Sequence, residues 1–210
     1  MLARNGTIAE MSERQTRRAT AADIPTLART LARAFLDDPV AQWSCRSDVL
    51  RPAVLERFHA TRLRQIILED EVWTTQTLSS AALWMTPKRW KTTVRQDIEL
   101  ARCLLHPRLI VRLPLIATGL IGIERRHPPS PPHWYLAVLG TDPAAQGRGF
   151  GSIVLEPVLE QCDDHAVGAY LESSKERNIA FYARHGFRVT GELQLPRGPK
   201  IWQMWREPHR

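Results

Sequence analysis

No C-x-x-C pair, no membrane-length apolar run and no standard nucleotide loop occurs in these 210 residues. Each absence removes a class of protein. Cys45, Cys103 and Cys162 are odd in number and far apart, which argues against a disulfide framework and a zinc site and for reduced thiols. No cluster of metal-ligating residues calls for a metal. The first residues hold no apolar core of signal-peptide length, so secretion is unsupported and a cytoplasmic location is expected. The most apolar stretch, Leu109 to Ile123, contains Arg112 and Pro114 and falls short of the ~20 residues a membrane span needs. A buried or pocket-lining helix is expected there, with weak peripheral lipid contact as the lesser alternative. Neither G-x-G-x-x-G nor G-x-x-x-x-G-K-[ST] is present, which sets aside the usual dinucleotide and mononucleotide loops.

What is present describes one globular domain. The chain is 43% hydrophobic and 24% charged, and it is long enough to bury a core. Residues 1–14 read as a flexible tail, and residues 15–208 as the domain, without internal repeats. The net charge of +7 is unevenly spread. From Lys88 to Arg126 there are nine Lys/Arg against three Asp/Glu. A solvated cationic helix face is the plain reading; an anionic surface or a nucleic acid is the competing one.

Hydrophobic periodicity predicts alternating strands and helices. A strand over 15–20 leads into a helix over 21–35, and one or two helices follow over 46–67. Two paired strands cover 71–76 and 80–85. A helical stretch over 97–123 is expected to be interrupted at Pro107 and Pro114. The run His127-Pro-Pro-Ser-Pro-Pro132 is a stiff connector to a central strand. A helix over 152–162 is expected to break or kink at Pro157 unless its first turn absorbs the proline. A strand over 167–172, a helix over 176–185 and an antiparallel pair over 187–194 and 200–205 close the domain. The pattern is α/β around a mixed sheet.

The richest segment is Gln146-Gly147-Arg148-Gly149-Phe150-Gly151-Ser152, which follows an apolar strand and opens an apolar-periodic helix. Glycine alternation allows close backbone approach, and a helix N-terminus attracts an anion. A pyrophosphate cradle is the functional reading; a glycine-rich turn that merely starts a helix is the bland one.

This segment resembles the signature of the GNAT superfamily of acetyl-CoA-dependent N-acetyltransferases. A second block, Asn178-Ile-Ala-Phe-Tyr182-Ala-Arg-His-Gly186-Phe187, resembles that family's asparagine, tyrosine and Gly-Phe exit. Phe35-Leu-Asp37-Asp38-Pro39, Ala82-Leu-Trp84, His133-Trp-Tyr135-Leu136, Tyr170-Leu-Glu172-Ser-Ser174 and Gly198-Pro-Lys-Ile-Trp202 are similar to the branch containing puromycin N-acetyltransferase.

The resemblance implies a single-domain GNAT-like fold, with a mostly antiparallel mixed sheet flanked by helices. It also implies acetyl transfer from acetyl-CoA to a small-molecule primary amine, without a metal. The donor is expected against Leu136, Ala137, Val138 and Leu139, on Gln146 to Ser152, and at Asn178 and Tyr182. A backbone N–H near Val138 or Leu139 faces the thioester oxygen in relatives. Tyr182 is the expected general acid and Glu172 the expected base, Glu172 reading equally as a surface or salt-bridge residue. Phe35, Asp37, Asp38, Trp84, Tyr135, Glu172 and Trp202 are the expected acceptor residues, though aromatic residues in strands usually build core. A coenzyme A-binding regulator, a protein N-acetyltransferase and an anionic-surface or nucleic-acid binder are the alternatives, the nucleic acid being disfavoured. Homodimerisation is left open.

Overall fold

A computed structural model describes residues 15–68, 71–87 and 89–209; the expected tail over 1–14 lies outside the described residues. Strands β1 (Thr16–Arg18), β2 (Glu71–Thr75), β3 (Ser80–Met85), β4 (His133–Thr141), β5 (Gly168–Ser173), β6 (Arg188–Gln194) and β7 (Lys200–Arg206) join in one sheet. Among the described residues it is seven-stranded, in the order β1-β2-β3-β4-β5-β7-β6. Every pairing is antiparallel except β4 with β5. A parallel pair needs a crossover, and helix α6 (Phe150–Asp164) supplies it.

Two helical layers cover the sheet. Helix α1 (Ile24–Ala34) buries Ile24, Leu27, Ala28 and Leu31, an i, i+3, i+4, i+7 stripe. With Leu63 and Ile66 of α3 (Arg51–Ile66), this stripe packs on Val72, Ala81, Leu83 and Val138. On the other face, α6 sets Val154, Leu155, Val158 and Cys162 against Trp84, Leu136, Leu171 and Met204. Fully burying each such aliphatic side chain contributes about 1.5–3 kcal/mol, so the two layers hold the sheet rigid beneath any site it carries. The short helix α2 (Pro39–Ser44) follows Asp38, and α4 (Val94–Arg102) and α5 (Leu113–Arg126) precede β4. Helix α7 (Ile179–Arg184) lies between β5 and β6. No described helix is long and apolar enough to cross a membrane.

Three expectations about proline and caps need correction. Helix α6 runs unbroken through Pro157, because packing on the sheet outweighs one missing backbone hydrogen bond. Pro114 does not interrupt a helix but stands in the first turn of α5, where its absent N–H costs nothing. Helix α4 begins at Val94, ahead of the expected Asp97, because Thr93 and Gln96 cap it reciprocally.

Two irregularities around β4 shape the site. The β3–β4 register passes from Leu83↔Val138 to Trp84↔Leu136, leaving Ala137 as an extra, bulged residue. The parallel register runs from His133↔Gly168 to Leu136↔Leu171 and stops there. Beyond Leu136, β4 therefore pairs with β3 alone and its other edge is open toward β5.

Candidate active site

Past Thr141 the chain makes a tight turn. Asp142 accepts hydrogen bonds from Ala144 N (3.0 Å) and Arg33 Nε (2.8 Å), which fixes the turn to α1. Gly147 (φ 77°) and Gly149 (φ 84°) are both left-handed, a conformation costing other residues roughly 1–2 kcal/mol. A Cβ on Gly147 would meet nothing within 4 Å, so glycine is needed there for its backbone conformation and leaves open space beside it. Phe150, 2% exposed, anchors the start of α6 in the core. The first amides of a helix have no intrahelical partner and carry positive partial charge.

These amides face a cleft of about 410 Å³. One wall is Ala34 and Phe35 at the end of α1 with Asp38, and another is Leu139, Gly140 and Thr141 of β4. The floor is Ala145, Gln146, Gly147 and Gly149 to Ser152. The remaining side is Lys175, Arg177, Asn178, Phe181, Tyr182 and Arg184. Three of these are cationic. Burial opposes ionisation of Asp37, yet its hydrogen bond to Lys175, with the charges of Lys175 and Arg177, holds its carboxyl below the ordinary value. Arg177 Nη2 donates to Asp37 across 2.9 Å. Asp37 thus steadies the basic rim from outside the cleft instead of lining it.

Tyr182 is 7% exposed, packed between Phe181 and Phe187 at ring separations of 5.2 and 6.0 Å. Burial, and then the negative Asp38, push its phenol well above the usual range. Asp38 caps α2, accepting from Val40 N (2.9 Å) and Ala41 N (3.1 Å), and its second oxygen accepts from the Ser174 hydroxyl. Its position in the cleft wall is therefore structural as well as electrostatic. Ser152 Oγ and His185 Nε2 lie 3.0 Å apart, tying the first turn of α6 to the end of α7.

A second polar group occupies the opposite face of the sheet. On β5, Leu171 faces α6, so Tyr170 and Glu172 face away from it, alongside Tyr135 of β4. The Glu172 side chain is 9% exposed, and its Oε1 has no hydrogen-bond partner among the described residues. Burial and this carboxylate raise the phenol pKa of both Tyr135 and Tyr170. His127 Nδ1 is 3.7 Å from Glu172 Oε1.

Of the residues singled out in the sequence, Leu139, Gln146, Gly147, Gly149, Phe150, Gly151, Ser152, Asn178 and Tyr182 line the cleft together with Phe35 and Asp38. Leu136 and Val138 bury their side chains in the core on either side of the bulge at Ala137. Gln146 donates to Thr141 O (3.1 Å), and the Arg148 guanidinium lies 4.9 Å from the Phe150 ring, outside the cleft lining. Trp84 is fully buried beneath α6, because β3 turns that side chain into the main core, and it does not line an acceptor pocket. Trp202 donates to Glu192 on the neighbouring edge strand (3.1 Å), likewise away from the cleft. Tyr135 and Glu172 are together, but across the sheet from Tyr182. Lys175, Arg177 and Arg184 were missed. Their signal was basic residues flanking Asn178 and Tyr182, next to a loop already read as an anion cradle. Among the described residues no group of three His, Cys, Asp or Glu could hold a metal ion.

Comparison with known proteins agrees with this geometry. The family model described as acetyltransferase (GNAT) matches residues 73–187. An uncharacterized N-acetyltransferase of Schizosaccharomyces pombe is 27% identical over 198 residues, covering 86% of this chain and 77% of that protein. A histone acetyltransferase HPA2 and related acetyltransferase from Corynebacterium glutamicum superposes with TM-score 0.67 at 22% identity, over 93% of this chain and 97% of the other. An agmatine N-acetyltransferase superposes with TM-score 0.59 at 14% identity, over 92% and 98% of the two chains.

Proposed function

Because this chain belongs to the GNAT acetyltransferase family, we propose that it moves an acetyl group from acetyl-CoA to the primary amine of a small molecule. The cleft fits such a donor. Left-handed glycines, the positive N-terminus of α6 and the basic side chains of Lys175, Arg177 and Arg184 suit a diphosphate. The open edge of β4 beyond Ala137 suits an extended amide-bearing arm, which can hydrogen-bond to it as an added strand. Bound there, acetyl-CoA supplies an electrophilic thioester carbonyl. A main-chain N–H at Val138 or Leu139 is the group assigned to that oxygen as charge develops on it.

Two side chains move the protons. Glu172 takes the proton that an acceptor ammonium must lose before its nitrogen can attack. Oε1 of Glu172 accepts no hydrogen bond among the described residues and so has lone pairs to take that proton, which supports this assignment. Tyr182 gives its phenolic proton to the departing sulfur, and its raised pKa keeps that proton in place at neutral pH. The divergence of β4 from β5 would let an acceptor on the Glu172 side reach a donor on the Tyr182 side. Holding the two reactants in one geometry removes the entropy of their encounter.

A small amine is favoured over a protein by the enclosure of Glu172 among Tyr135, Tyr170 and His127. The observation that carries the whole reading is Tyr182 in the same cleft as the amide cradle. The test is thiol release from acetyl-CoA with a panel of small primary amines beside peptide N-termini. Release with small amines is expected, sharply reduced in Gly149→Val, because a β-branched residue cannot hold φ 84° without strain. Tight coenzyme binding without turnover on any amine would make the chain a regulator, and turnover on peptides alone would change the acceptor class.

A further inference from the structure

The imidazoles on the Glu172 face form a chain whose hydrogens are dictated by its far end. The Pro131 carbonyl can only accept, so His133 Nδ1 carries a hydrogen and donates it across 2.7 Å. A neutral His133 then has a bare Nε2. That nitrogen is 2.9 Å from His127 Nε2, so His127 must donate through Nε2. A neutral His127 is thereby left with a bare Nδ1, and this is the atom facing Glu172 Oε1 at 3.7 Å. Two lone pairs would confront each other in a buried site: His127 is 5% exposed, His133 2%, and the Glu172 side chain 9%. One additional proton resolves the conflict.

We propose that His127 Nδ1 holds this additional proton at rest, and that His127 is a positioning residue whose imidazolium charge faces the Glu172 carboxylate that takes the proton of the acceptor ammonium. The inference rests on the acetyltransferase reading for its catalytic half only. The balance is simple. An ammonium acceptor loses two protons on becoming an amide; one leaves as the thiol hydrogen, by way of Tyr182, and the other leaves with solvent. Glu172 takes the latter, releases it to solvent and is again a carboxylate for the next turnover, while His127 keeps its own proton throughout.

The surroundings favour His127 over His133 as the holder of the additional proton. The Trp90 indole stacks on His127 with ring centroids 3.8 Å apart and planes 14° apart, a contact that favours an imidazolium. Burial, with the neighbouring His127, lowers the pKa of His133 despite its bond to Pro131 and the Glu172 charge. The other titratable groups facing the pair are Tyr135 and Tyr170, both held neutral, and Arg62 of α3, whose charge acts on Tyr135. Trp205 closes the far side of His133 at 5.0 Å.

The test has two arms. In protein labelled with nitrogen-15 at histidine, without any substrate, His127 Nδ1 is expected to report a bound or shared proton at pH 7. Glu172→Gln should abolish that signal. A bare Nδ1 in the unsubstituted protein would overturn the proposal whether or not the chain is an acetyltransferase. In the second arm, His127→Phe keeps the stack on Trp90 but cannot hold a proton. We expect kcat to fall at least tenfold and the acid limb of its pH profile to move, with KM for acetyl-CoA unchanged; His127→Gln should not restore the profile. An unaltered profile in folded His127→Phe protein would remove His127 from the reaction. Absence of turnover in the unsubstituted protein with every amine would instead count against the acetyltransferase reading, and the first arm would still decide whether His127 Nδ1 holds a proton.

Discussion

Tyr182 and His59 show how burial sets the chemistry of a single residue. The Tyr182 phenol is raised by desolvation and by Asp38, so it keeps its proton at neutral pH. Tyr182→Phe keeps the volume packed between Phe181 and Phe187 and removes only the hydroxyl. We expect kcat to fall by about 10²-fold or more, while the dissociation constant for acetyl-CoA measured by calorimetry stays within twofold. Full activity in the Phe variant would take the phenol out of the reaction. His59 lies against Phe35 and Phe58 at 5.1 and 5.4 Å, with neither ring nitrogen hydrogen-bonded among the described residues. Burial pushes its pKa down to about 3. The folded protein therefore keeps His59 neutral while the unfolded chain takes up a proton below its ordinary value of ~6.5. Stability is lost as pH falls from that value toward 3, at about 1.4 kcal/mol per pH unit for this one group. In His59→Leu, urea melts at pH 7, 5.5 and 4.5 should show a shallower decline by that slope. Parallel curves for the two proteins would mean His59 is not held neutral.

At the scale of elements, helix α6 carries both the cradle and a flaw. Pro157 has no N–H for the Ile153 carbonyl, and an interior proline costs a helix about 3 kcal/mol. The helix persists because its buried stripe packs on β2, β3, β4 and β5, and Gln161 Nε2 donates to Pro157 O at 3.2 Å. Pro157→Ala restores one donor but also loosens the unfolded chain, which offsets up to about 1 kcal/mol. The net expectation is a gain of about 1–2 kcal/mol, read as a rise in Tm of several degrees. A lower Tm would show that the helix path through Pro157 is itself required by the packing. Local rules failed here for an identifiable reason: proline is scored against an isolated helix, whereas this one is held from the side. Thr93 and Gln96 are the converse case, since the Thr-x-x-Gln box that starts α4 stood in the sequence in full.

The whole molecule is closed by Arg206 at the end of β7. Its guanidinium side chain is 4% exposed and reaches two parts of the fold, with Nη1 and Nη2 on Asp163 of α6 at 2.8 and 2.7 Å and Nε on the His185 carbonyl at 2.9 Å. The strand that ends there is inserted between β5 and β6, so the clamp joins the last strand to the helices on both sides of the cleft. Arg206→Met leaves that carbonyl without its donor and Asp163 with only the His209 N–H (2.7 Å), and a loss on the order of 3 kcal/mol is expected by urea denaturation. A loss within 0.5 kcal/mol would mean the strand order alone holds the closure.

The strand and helix alternation, the glycine cradle and the block from Asn178 to Phe187 were written in local sequence, because hydrophobic period, backbone conformation and motif spacing are properties of neighbouring residues. Which side chains meet was not. Tyr135 and Glu172 sit together because β4 and β5 run parallel in register, and Trp84 is core because β3 lies beneath α6. The pairing of His127 with His133 and Glu172, the use of Asp37 to steady Lys175 and Arg177, and the parting of β4 from β5 depend on strand order and on one bulged residue. Such contacts join residues distant along the chain, and only the packed sheet brings them within reach.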